Sequence, residues 1–408
     1  MHLYTGSQYR PIDPYSCPVD PVSNPYAPGA GRAPEALAGR AEHLEAWDVA
    51  IRRIEAGRDA QSMVMFGLRG VGKTVLLTRF AQVARDRSWL VTQVEAKSGK
   101  TIRALIGEGF HDNLVDLARP GVGTRVLKAL KTALSFKASY DSTGAWSFGL
   151  DLSEVPGGGA DTGGFESDLG KLLRDLAGAA DDEGVGVAVL VDEAQDLPAD
   201  ELIALCSIVH QANQRGDRLV VALAGLPSLP RRLSEAKSYS ERLYQYKEVG
   251  ALEPAAARAA LVVPARAQQV GWADDAVALV LQEAGGYPYF LQQYGQETWN
   301  AADGPNVTLA DARVGVARGQ LALDTGFFRV RWDRATPAEK AYLRAMADDG
   351  DAGSATGEIA ARLGKKVTSL GPTRAGLIGK GLIFSPDHGF VAYTVPAMAA
   401  FVRRQPEW

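Results

Sequence analysis

The chain has 408 residues, 46% of them hydrophobic and 23% charged, which is enough apolar material for a sizeable core and enough length for two or three domains. A net charge of −4 at pH 7 excludes a surface coated all over with nucleic acid, so any such contact must sit in a locally basic part. Cys17 and Cys206 are the two cysteines, which excludes a disulfide framework or a cysteine metal site and fits a cytoplasmic protein; no run of about 18 apolar residues or leader-like N-terminus points to a membrane or to export.

Residues 1–35 read as a proline-rich arm, with seven of the 21 prolines before residue 35 and no helical or strand period. Two readings stay open for it: a loosely ordered tail, or an arm that packs on the body or a neighbour. Leu44, Trp47, Ile51 and Ile54 then mark one face of an amphipathic helix. From there to about residue 250, short apolar runs (SMVMF, WLVTQVEA, VAVLVDE, RLVVALAG) alternate with helical patterns, which predicts a parallel sheet covered by helices on both faces. Residues 136–164, rich in Gly and Ser, read as a surface insertion in that 36–250 core. Residues 251–333 read as helices, and residues 334–408 as three helices followed by a hairpin whose turn is Pro-Asp-His-Gly, the outline of a winged helix.

The motif GLRGVGKT, residues 67–74, follows a strand and opens a helix, the context a phosphate-binding loop requires. Gly67, Gly70 and Gly72 let the backbone turn its N–H groups and the positive helix end toward a polyphosphate, with Arg69, Val71 and Val75 completing the contacting run. Lys73 suits the β- and γ-phosphates and Thr74 suits Mg²⁺. The metal needs an acidic partner at the end of a strand expected to run beside the loop's own. VAVLVDE supplies Asp192 for the metal and Glu193 as a general base, so the pair points to hydrolysis beyond binding.

These motifs, with LAGRAEHLEAW before the first strand, LVVALAGLPSL, SERLYQY, GGYPYFLQ and the terminal winged helix, resemble an AAA+ ATPase over residues 36–404, most of all the group that includes replication initiators and the STAND signalling ATPases. The resemblance implies ATP or ADP with Mg²⁺ as ligands and places Gly39 and Arg40 near adenine. It implies an arginine-finger position for Arg242, hence homo-oligomers when ATP is bound, and a lid proline, Pro288, packed on the nucleotide. Ala224-Gly225 stand where a polar sensor is expected, Ser228 being poorly positioned to replace it, and Gly286-Tyr287-Pro288 stand where a second-sensor arginine is common. Slow, switch-like hydrolysis is the expectation, with a non-catalytic nucleotide-gated scaffold as the alternative.

Residues 334–408 carry ten Lys or Arg against seven Asp or Glu. A third helix near 368–380, capped by Thr368 or Ser369 and turning Leu370, Leu377 and Ile378 to the core, leaves Lys365, Lys366, Thr368, Ser369, Thr373, Arg374 and Lys380 on an outer face suited to double-stranded DNA. A protein partner for that face is the competing reading. His111 and His388 read as surface residues, and Trp272, Trp299 and Trp332 as core.

Overall fold

The structure, a computed structural model, describes residues 19–29, 31, 34, 37–96, 102–110, 124–140, 158–160 and 162–406. His111, Cys17 and much of the 136–164 stretch lie outside the described residues. Two compact units divide the chain: Arg40–Gly250 with Phe328 onward, and the described residues up to Gly39 with Ala251–Phe327.

The first unit holds a five-stranded parallel sheet built from β1 (Ser62–Phe66), β2 (Leu90–Glu95), β3 (Val187–Asp192), β4 (Leu219–Gly225) and β5 (Tyr244–Glu248), in the order β2-β3-β4-β1-β5. Every residue of β3 and β4 is buried, as expected of parallel strands covered on both faces. The cover comes from α1 (Ala41–Glu55), α2 (Lys73–Asp86), α3 (Ile102–Gly109), α4 (Thr124–Tyr140), α5 (Phe165–Asp182), α6 (Ala199–Arg215), α7 (Leu229–Ala236) and the single turn α8 (Ser240–Leu243). On α1 the apolar stripe buries Trp47, Ile51 and Ile54; the Trp47 ring stacks on Phe80 of α2 at 4.9 Å and its Nε1–H donates to the Phe80 carbonyl. Helix α4 runs on through Tyr140, into the stretch read from sequence as an insertion.

Two differences from the sequence reading concern this sheet. The acidic strand β3 is not beside the loop strand β1: β4 lies between them, and the acids reach the loop through α2. The edge strand β5 has half-exposed residues and no apolar run, so only its pairing with β1, Ser62 opposite Tyr244 to Phe66 opposite Glu248, reveals it.

The second unit packs α9 (Pro254–Ala267), α10 (Asp274–Ala284), α11 (Pro288–Ala301) and α12 (Leu309–Ala322), with a two-residue parallel pair, β6 (Gly271–Trp272) and β7 (Asn306–Val307). Gly315 and Gly319 let α12 lie against α11, since a Cβ at Gly315 would fall 2.4 Å from the Thr298 Cα. Residues 19–29 pack into this unit. Tyr26 is 2% exposed, sits edge-on to Trp272 and Trp299 at 6.3 Å from each, and donates its hydroxyl to the Leu261 carbonyl. Trp299 is buried, whereas Trp272 is only half-buried.

A π-helical turn, Leu323–Phe328, leads out of α12, and the division between the units falls inside it. Beyond it come α13 (Arg329–Asp333), α14 (Pro337–Ala347), α15 (Thr356–Arg362), α16 (Gly371–Gly379) and α17 (Met398–Arg403), with an antiparallel sheet in the order β8-β10-β9 made of β8 (Ser354–Ala355), β9 (Ile383–Phe384) and β10 (Phe390–Tyr393). Trp332 is buried, its ring 6.5 Å from that of Phe401, so residues 329–333 belong with this module. Residues 367–370 form a 3₁₀ turn, which moves the start of α16 to Gly371 and takes Thr368 and Ser369 away from its N-cap. Leu370 and Leu377 are buried as expected, but Ile378 is 39% exposed and does not face the core.

Candidate functional site

Strand β1 ends at Phe66 and α2 begins at Lys73, so residues 67–72 must reverse direction in a few residues. Gly70 and Gly72 do so at φ +88° and +94°, where a side chain is strained. Gly67 is fixed differently: a Cβ there would lie 2.1 Å from the Val249 carbonyl oxygen. Gly72 brings no side-chain cap to α2, leaving the first N–H groups of that helix to an anion. Val71 and Val75 turn their side chains into the core, so only their backbone can face a ligand. Arg40 clamps the loop from behind, donating through Nη2 to the carbonyls of Val71 at 3.1 Å and Gly250 at 2.6 Å.

Lys73 is buried and its Nζ donates to the Gly67 and Leu68 carbonyls, each at 2.8 Å. Burial brings its pKa down to about 8, against the opposing pull of the Glu193 and Asp192 carboxylates. Thr74 donates its hydroxyl to Asp192 Oδ2 at 2.5 Å, and the Glu193 N–H donates to Asp192 Oδ1 at 2.8 Å. Burial raises the Asp192 pKa above the usual carboxylate value, with the Thr74 and Glu193 hydrogen bonds pulling the other way. A hydroxyl and a carboxylate oxygen this close are the hard donors that Mg²⁺ takes alongside phosphate oxygens and water.

Glu193 takes the left-handed conformation, φ +50° and ψ +35°, unusual for a non-glycine residue and a local strain of the kind found at functional turns. That turn sends its carboxylate to two partners, Arg69 Nη1 at 2.9 Å and Gln195 Nε2 at 2.6 Å. Gln195, 7% exposed, also accepts from the Leu226 N–H just past β4 at 2.9 Å. A Cβ at Gly225 would lie 2.6 Å from Gln195 Oε1. The polar group at the end of β4 therefore comes from the turn after β3, a role the sequence reading missed. Its only sequence signal is an amide two residues after the acidic pair. Ser228, just before α7, lines a cavity beside Arg69.

Other predicted site residues are dispersed. Arg242 is exposed on α8, next to edge strand β5. Gly39, at φ +69°, packs against Ala256 and Leu252 in the other unit, where Gly286, at φ +71°, accepts from the Leu252 N–H and Pro288 is the first residue of α11. Lys365, Lys366, Thr368 and Ser369 are exposed together before α16. Thr373 is half-buried on α16. The structure does not keep Arg374 and Lys380 on that face: Arg374 bonds Ser385, Lys380 pairs with Glu339 at 2.5 Å, and both line the cavity with Arg69. His388 is exposed and Cys206 is buried and free.

Residues 36–221 match a family model described as an AAA ATPase domain, and residues 325–402 match one described as a domain of unknown function, DUF8462. No curated protein matches the chain in sequence. Among solved structures, the Walker-type ATPase PABY2304 of Pyrococcus abyssi is 16% identical, covers 90% of this chain and 96% of its own, and superposes with a TM-score of 0.55. The Orc1 protein of Aeropyrum pernix, solved in complex with DNA, is 16% identical over 91% of this chain and 94% of its own, TM-score 0.45. Cdc6p of Pyrobaculum aerophilum is 14% identical over 92% and 96%, TM-score 0.47. The first of these likenesses shows the shared fold.

Proposed function

We propose that the chain, whose residues 36–221 match a model described as an AAA ATPase domain, binds ATP with Mg²⁺, hydrolyses it slowly, and couples nucleotide state to DNA or partner binding through a winged helix at residues 334–408. The observation that carries the reading is the convergence of Lys73, Thr74, Asp192 and Glu193 on one end of the sheet, with Thr74 and Asp192 2.5 Å apart. Lys73 and the α2 N-terminus bind the phosphates, and Thr74 and Asp192 hold the metal, which neutralises charge on them. Glu193 orients and deprotonates water once its carboxylate is free. Its engagement by Arg69 supports slow turnover. The same ion pair favours the second reading, a switch that holds nucleotide without turning it over.

Exposed Lys365, Lys366, Thr368 and Ser369 support DNA contact, with a protein partner as the competing occupant. Exposed Arg242 supports contact with a neighbouring subunit, hence a homo-oligomer. A lid formed by residues 251–333 completes the reading. Among the described residues no helix is long and apolar enough to cross a membrane. Phosphate release by the full chain is expected to exceed that of Lys73→Ala by at least about tenfold, the lysine's share of phosphate stabilisation being several kcal/mol. Phosphate release no faster than that of Lys73→Ala, with DNA present as without it, would leave only the nucleotide-holding switch.

A further inference from the structure

Beside the phosphate-binding loop, within the same unit, lies a cavity of about 750 Å³ that shares only Arg69 with the ATP loop. Among the described residues seven Arg or Lys side chains line it, against the carboxylates of Asp196 and Glu235. The cations come from both walls: Arg231 and Arg232 from α7 of the core, and Arg334, Arg374 and Lys380 from the C-terminal module. Like charges facing each other across a partly enclosed space repel unless an anion sits between them.

Some are already engaged: Arg231 pairs with Glu235 at 2.8 Å, and Arg232 donates to the Leu197 carbonyl. The Nε groups of Arg69 and Arg374, however, are buried with no hydrogen-bond partner among the described residues. Buried guanidinium N–H groups without acceptors call for a ligand rich in oxygen, and phosphate matches their fork geometry. Val330, 58% exposed, and Ile378, 39% exposed, line the same cavity and offer an apolar wall to the rest of such a ligand. The volume is that of a small-ligand pocket, far below what a double helix requires.

We infer that this cavity is a second anion site, taking the phosphates of a free polyphosphate or of a single nucleic-acid strand end, and that its occupant draws Arg69 away from Glu193. The coupling rests on the ATPase reading given above; the binding does not. Arg69 Nη1 holds Glu193 at 2.9 Å, so an anion competing for that guanidinium releases the base.

The test uses the full chain saturated with ADP and Mg²⁺, so that the ATP loop is filled. Inorganic triphosphate and a fluorescently labelled hexathymidylate are the probes, read by anisotropy and competition. At least one is expected to bind, and R334E and R374Q each to weaken it tenfold or more, R334E serving should R374Q disturb folding. A tighter oligonucleotide identifies a strand end; triphosphate binding that the oligonucleotide does not displace identifies free polyphosphate; both outcomes support the site. No binding by either probe overturns it, as does binding lost in a K365E/K366E double variant and retained in R334E and R374Q. ADP binding is followed separately with a fluorescent ADP, and its loss would count against the ATPase reading instead. At saturating ATP the bound probe is expected to raise turnover at least threefold in the wild type and not in R334E, whose basal rate is unchanged. Binding without that rise overturns the coupling to Glu193.

Discussion

At the scale of single residues, the site turns on one buried lysine whose charge is conditional. Desolvation brings the Lys73 pKa to about 8, so its ammonium is largely kept up to pH 7 and is progressively lost through pH 8 in the nucleotide-free protein. Phosphate binding selects the protonated form. ADP affinity is therefore expected to be flat from pH 6 to 7 and about tenfold weaker at pH 9 than at pH 7, with proton uptake on binding at the higher pH. Calorimetry in two buffers of different ionisation enthalpy measures both, and constant affinity with no proton uptake would refute the assignment. For folding the sign is opposite to that of a salt-bridged lysine. The folded pKa lies below the ordinary lysine value of 10.5, so the buried charge costs stability below pH 8 and that cost is relieved as pH rises from about 8 to 10.5. That Lys73 and Thr74 open a helix and Asp192 and Glu193 close a strand was legible in the sequence, because local spacing places each of them. Gln195 and the Arg69–Glu193 pair were not, because they depend on the left-handed turn at Glu193, which no spacing announces.

At the scale of elements, residues 19–29 of the proline-rich segment pack through their aromatic and amide side chains. Tyr26 is buried against Trp299 and closes over Gly295, where a Cβ would lie 2.8 Å from its ring. Asn24 adds a hydrogen bond to the Gln296 carbonyl at 3.1 Å. An aromatic side chain in such a place is worth about 3–5 kcal/mol on truncation to alanine. Tyr26→Ala is thus expected to lower the urea midpoint of the unit containing residues 251–327, and an unchanged midpoint would mean that the segment lies loosely on it. Prolines show that a segment is extended; they do not show what its aromatic residues meet. The same limit hid β5, β6, β7 and β8. Three of these have two residues each, and β5 is a half-exposed edge, so none carries an apolar run, whereas β1 to β4 do and were legible. Sheet order was also beyond the sequence, since local patterns cannot tell that β4 lies between β1 and β3.

At the scale of the unit formed by the core and the C-terminal module, three contacts converge on the loop that carries Arg69. The Arg69 N–H donates to the Thr394 carbonyl just past β10 at 2.9 Å, Leu68 packs with Leu226, Phe384 and Ala392, and the Arg69 guanidinium lies 3.3 Å from where a Cβ at Gly381 would sit. The module thereby holds the backbone of the residue whose side chain holds Glu193. Loosening the module should free both. Phe384 sits in the small apolar cluster joining them, and its truncation to alanine removes about 3 kcal/mol of packing. If most of that is docking energy, amide exchange at Arg69 accelerates about a hundredfold, since each 1.4 kcal/mol is about a factor of ten. Leu226→Ala probes the same contact from the core side and leaves the module's own packing intact. In both variants, faster exchange in the peptide containing residue 69 is expected together with faster ATP turnover, because an arginine released at its backbone no longer pins the carboxylate. Faster exchange with unchanged turnover would separate the two events: the module would then brace the loop without restraining the base, and Arg69 would hold Glu193 by the ion pair alone.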